Sequence, residues 1–167
     1  GITREDPSIA PVKTGAARIA LGARRAGAEG IQIVPVGIHY EDKAALRSRI
    51  FVNAGEPIDL DASIDRFAPD GDASPDNRAA VRALTDEIEL YLRNVAPNFA
   101  DWTEARSLTI AAEAALRVEA DDPTEAVPIA ERDLLAADLA RADDPSREAV
   151  IEAADDLKRD LDGIGLS

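Results

Sequence analysis

The chain has 167 residues with no cysteine, no methionine and a formal net charge of -14 at pH 7. The missing cysteines exclude disulfides and thiolate metal sites, and no apolar run approaches the roughly 20 residues of a membrane-spanning helix. Residues 1–60 hold eight Lys/Arg against seven Asp/Glu, and residues 61–167 eleven against twenty-six. The second part therefore repels nucleic acid and anionic headgroups, and an anionic ligand belongs with the first.

The chain opens on Gly1 without a signal-peptide pattern, and the expectation is a piece of a longer, cytoplasmic protein. Thr14 to about Ala26 predicts a helix with Ala17, Ile19, Ala20, Leu21 and Ala23 as small apolar surface; Gly27 and Gly30 end it. The β-branched run Ile31 to Tyr40 predicts a buried strand. Pro35 inside it cannot donate to a ladder and marks a bulge or an edge. A second strand is expected over Arg47 to Asn53, with Ile50 and Val52 on one side, ended by Gly55-Glu-Pro57.

From Asp61 the pattern turns helical, and Asp70–Asn77 reads as a linker or hinge. Ser74-Pro75 signals one helix start, followed by Val81, Leu84, Ile88, Leu92 and Val95. Trp102 opens a second helix with Ala105, Leu108, Ala112 and Ala115 on one face. Asp122-Pro123 opens a third carrying Val127, Leu134, Leu135 and Leu139. Asp144-Pro145 opens a fourth with Val150, Ala154, Leu157, Leu161 and Ile164. The fold expected is α/β over 1–60 followed by an acidic four-helix C-terminal lobe over 61–167.

His39 is the only histidine, and nothing acidic stands at helical or turn spacing to orient it. A satisfied structural histidine is the favoured reading over a general base. No catalytic residue and no metal site is assigned: Asp70 to Asp76 starts like a calcium loop, but Pro75 stands where that loop requires glycine. Lys13-Thr14-Gly15 matches a penicillin-binding motif only in letters, since no S-x-x-K partner exists. The stretch Gly1 to Arg4 and the Lys13-Thr14-Gly15 helix start leave two readings open. They form an anion site built on helix N–H groups and nearby cations, or Lys13 merely solvates a loop and Gly15 permits close packing.

Three blocks carry a resemblance: Gly1-Ile-Thr-Arg4 leading into Lys13-Thr-Gly15, then Ile33-Val-Pro-Val36, then Arg47-Ser-Arg49 to Gly55-Glu-Pro-Ile58. In this order they resemble the glycerophosphate and 1-acylglycerol-3-phosphate acyltransferase family, over about the first sixty residues. That family has an F-P-E-G-T-R-S motif, a K-x-G-A helix start and a V-P-V or V-P-I strand. The resemblance implies acyl transfer from a CoA or acyl-carrier-protein thioester to a hydroxyl of glycerol 3-phosphate or lysophosphatidate, with no other cofactor, at the cytoplasmic membrane face. It implies that Gly1, Thr3, Arg4, Lys13 and Gly15 lie on the acceptor phosphate and that Pro35 shapes the acyl or acceptor pocket. The family arginine usually stands where this chain has Thr3, with Arg4 one place later. The family's catalytic His-x4-Asp is absent, because five positions after His39 stands Ala44. The fragment itself is expected to be inactive. Competing expectations are a helical protein-interaction module and an acyltransferase-like protein with another lysophospholipid acceptor.

Overall fold

The computed structural model describes residues 6–42 and 45–165. Its elements in chain order are α1 (Gly15–Arg25), β1 (Gln32–Ile33), β2 (Val36–Tyr40), β3 (Ile50–Ala54), β4 (Ile58–Asp59), α2 (Leu60–Phe67), α3 (Arg78–Val95), α4 (Trp102–Glu119), α5 (Ile129–Ala140) and α6 (Asp144–Gly163). The architecture is mixed α/β, with sheet and helix in the N-terminal part and helices in the C-terminal part. Strand β1 pairs with β4 antiparallel, Gln32 opposite Asp59 and Ile33 opposite Ile58, and β2 pairs with β3. Among the described residues no helix is long and apolar enough to cross a membrane.

The residues fall into two compact units that interleave along the chain. One draws on 9–38 and 52–96, the other on the described parts of 1–8, 39–51 and 97–167. In the first, α1 packs on α3. Ala17, Ala20 and Leu21 lie one helical turn apart and are buried, as are Ala80, Val81, Leu84 and Ile88 of α3. Leu60, Ile58 and Phe67 complete this core. Each fully buried leucine contributes on the order of 2 kcal/mol of hydrophobic stabilisation. In the second unit α4 packs against α5 and α6, around Leu108, Ala112 and Ala136.

Several boundaries differ from expectation for identifiable reasons. The run Ile31 to Tyr40 is two strands, because Pro35 separates β1 from β2. Strand β2 also alternates: Gly37 and His39 are buried, whereas Val36, Ile38 and Tyr40 stay exposed. Ile50 and Val52 share one side of β3, and it is the exposed side. Beyond Pro57 the chain adds β4 and α2, where the Asp59 carboxylate accepts from the Ala62 N–H at 2.9 Å and caps the helix.

Residues 70–77, expected as a linker or hinge, form a hydrogen-bonded cap. Asn77 Oδ1 accepts from the N–H groups of Ala79 and Ala80, while its Nδ2 donates to Asp70 and to the Asp72 carbonyl. Helix α3 accordingly starts at Arg78 rather than at Ser74-Pro75, whose serine hydroxyl instead accepts from the Asp76 N–H. Helix α5 starts at Ile129 rather than Asp122-Pro123. A helix from Pro123 would carry Pro128 in its interior, which costs about 3 kcal/mol. Asp122 instead closes a turn by accepting from Thr124 N–H and Oγ1–H.

Candidate functional site

The expected site starts at helix α1. Thr14 is its N-cap residue but makes no side-chain cap hydrogen bond, and the first turn carries no acidic residue. The N–H groups of such a turn and the positive end of the helix dipole favour an anion. Lys13, Thr14 and Gly15 are exposed, and a Cβ added at Gly15 would meet open space. Glycine there leaves the backbone accessible rather than relieving a clash.

The segment entering the helix is anchored just before Lys13. Val12 packs its side chain against the core, and its N–H donates to Glu89 Oε2 at 3.1 Å. Glu89 also receives Arg93 at 2.7 Å. Arg93 first, and then the Val12 N–H, hold the Glu89 carboxyl below its ordinary range. The other cations of α1 are engaged elsewhere. Arg18 donates to the Pro75 carbonyl, Arg24 pairs with Asp61 and Arg25 donates to Ser74 Oγ. Among the described residues Lys13 is thus the cation that stands at the helix start. Gly1, Thr3 and Arg4 lie outside the described residues.

Pro35 sits apart from that start. It is buried between β1 and β2, and its carbonyl accepts from the Gly55 N–H at 2.9 Å. No hydrogen bond among the described residues joins it to Lys13 or Gly15. Gly55 is confined: a Cβ there would stand 2.6 Å from Val95 Cγ1 and 3.1 Å from Pro35 Cγ. Gly37 is tighter still, since a Cβ would overlap the Val95 carbonyl. Two glycines and Pro35 therefore let β2 and β3 approach the end of α3 by backbone. Beside them lies an open cleft of about 500 Å³ lined by Asn53, Gly55, Glu56, Tyr91 and Asn94. Asn53 Nδ2 donates to the Val95 carbonyl at 3.3 Å and fixes one wall.

His39 is only 3% exposed, so its ring cannot reach a substrate in this conformation. Its Nδ1 lies 3.4 Å from Asp133 Oδ2 of α5 and its ring 5.1 Å from that of Phe51. The orienting acid that sequence spacing did not supply comes from a remote helix. Sequence reasoning missed Asp133 because no local pattern links the two positions. In the acidic loop Asp70–Asp76, Asp70 Oδ1 accepts from the Asp72 N–H and Asp72 Oδ1 from the Ser74 N–H, while Asp76 pairs with Arg25 at 3.6 Å. Among the described residues no three His, Cys, Asp or Glu side chains are grouped to hold a metal.

The fold thus gathers a glycine-bearing α/β unit with a basic helix start and a second unit of acidic helices. No protein-family model matches the chain, and no solved structure matches it. Over 167 residues, 99% of the chain, it is 31% identical to glycerol-3-phosphate O-acyltransferase 2 of Saccharomyces cerevisiae. The chain spans 22% of that protein's length. The relation is distant. It runs through the acidic helices as well, beyond the first sixty residues that carry the motif blocks.

Proposed function

We propose that this chain is part of a glycerolipid O-acyltransferase, which moves a fatty acyl group from a CoA or carrier-protein thioester to a hydroxyl of glycerol 3-phosphate or lysophosphatidate. The observation that carries the reading is the alignment with the yeast acyltransferase along 99% of the chain. Within it, Lys13 and the exposed N–H groups around Gly15 supply positive potential for the acceptor phosphate, to which the motif resemblance also assigns Gly1, Thr3 and Arg4. Pro35 acts through shape: by holding Gly55 it sets one side of the cleft at the end of α3. Neither role requires chemistry from the residue concerned.

The general base belongs to a His-x4-Asp motif that this sequence does not contain, and buried His39 does not replace it. The exposed Val36, Ile38 and Val52 suit this reading. An apolar row along the exposed face of a strand pair is what a sheet face covered by further chain in a larger domain carries. In the full-length protein the acyl transfer takes place at the cytoplasmic face of a membrane to which the protein is peripheral. The division near residue 60 separates the acyltransferase part from a helical extension.

Two measurements test the reading. The isolated 167-residue chain should show no transfer from radiolabelled acyl-CoA to either acceptor; turnover there would overturn it. In the full-length protein, Lys13→Ala should raise KM for the phosphate acceptor about tenfold with little change in kcat, the loss of one charge-assisted contact. A full-length protein that acylates neither acceptor would refute the assignment.

A further inference from the structure

The chain's single histidine takes no part in the function proposed above, yet its surroundings are specific. His39 lies on the inward side of β2, with Phe51 of β3 against its ring at an interplanar angle of 45°. Its Nδ1 faces Asp133 of α5 at 3.4 Å, and the Asp133 side chain is 15% exposed. The other oxygen of that carboxylate receives the neighbouring Arg132 at 2.9 Å, which leaves Oδ2 for the imidazole. Further charges surround the contact. Glu41 and Arg49 pair on the hairpin itself, Arg132 acts on Glu41, and Glu113 of α4, paired with Arg117, acts on Arg49.

Two effects compete for the imidazole proton. Burial disfavours the charged ring, while a carboxylate within about 4–6 Å favours it. Here the carboxylate is in direct contact and partly desolvated and the whole chain carries a net charge of -14, while Arg132 on the opposite oxygen works against the second cation. The overall negative field adds to the attraction. Helix α5 buries Ala136 and packs Leu135, Leu139 and Ala140 against the core of its unit, and Asp133 ties it to the hairpin through a polar contact.

We propose that His39 is a proton-operated clamp: in its doubly protonated form it ties Asp133, and with it helix α5, to the β2–β3 hairpin, and loss of that proton loosens the contact. A cation stabilised by folding adds stability that is fully present below its unfolded titration, about pH 6.5 for histidine. That stability is lost as pH rises through the folded titration. The clamp is therefore closed in mildly acidic to neutral solution and opens on the alkaline side.

Because the sequence has one histidine, NMR titration of the imidazole in the 167-residue chain reads this site alone. The expected midpoint is at least about one pH unit above the ordinary histidine value, a tenfold tighter proton, and D133N should return it downward by a similar factor. Backbone amides of 129–140, corrected for intrinsic pH dependence, should exchange faster above the midpoint in the wild-type chain. That step should vanish in H39Q, which keeps a neutral hydrogen-bonding side chain. A wild-type midpoint at or below the ordinary value overturns the clamp, as does an exchange step that persists in H39Q. Both wild-type measurements stand if D133N fails to fold.

Discussion

The two units are stabilised in different ways. The unit of 9–38 and 52–96 has eleven buried residues in one cluster, among them Leu21, Leu60, Leu84 and Phe67. Among the described residues the helical cluster of the other unit has three, Leu108, Ala112 and Ala136. The helical unit relies more on ends and charges: Asp101 and Asp143 cap α4 and α6, Ser107 donates to Asp155 at 2.6 Å, and Arg147 bridges to Glu104 at 3.2 Å. The lesson is that an alanine-rich, acidic sequence can form well-capped helices without forming a deep core. Hydrophobic area rather than helix propensity separates the stable region from the marginal one.

Five substitutions sharpen that contrast. Gly37→Ala should have the largest effect, because its Cβ overlaps the Val95 carbonyl and both sides are backbone. More than about 4 kcal/mol should be lost, seen as a collapse of the urea midpoint. Retention of wild-type stability would mean that β2 and the end of α3 separate at little cost. Next, Leu84→Ala should cost about 4 kcal/mol and Leu108→Ala about 2.5, two ends of the range for buried leucines. Leu84 is walled in by large neighbours, whereas Leu108 sits among alanines and half-buried side chains that can close on the cavity. Equal losses at constant m-value would abolish the distinction between the units. Smallest are the caps: Asp101→Ala should cost about 1 kcal/mol and Asn77→Ala nearer 2. Asn77 also holds Asp70 and Asp72 in place, so equal costs would show that its loop contacts add nothing.

Much of this fold was legible along the chain. The apolar positions of α3 appear in the sequence at helical spacing, and Val81, Leu84, Ile88 and Val95 are the ones buried. Asp144-Pro145 marks the start of α6, with Asp143 as its cap. Structure and expectation differ where a competing local interaction wins: Pro128 would stand inside the expected third helix, and Asn77 is a better cap than Ser74. Of the candidate site, the sequence pointed to Lys13 and Gly15 at a helix start, and Pro35 at a strand break. It did not reveal that Glu89 anchors the residue before Lys13, or that Gly37 and Gly55 bring two strands onto Val95. These relations join positions far apart in the chain.

The sequence by itself determined the local features: a basic, glycine-punctuated first part, an acidic helical second part, the caps, and the lack of a His-x4-Asp. Those follow from side-chain chemistry within a few residues of each position. Tertiary structure decided which faces are buried, how the two units interleave, and that His39 meets Asp133. The physical reason is that burial and charge pairing depend on what packs opposite a residue, and its neighbours in sequence do not specify that.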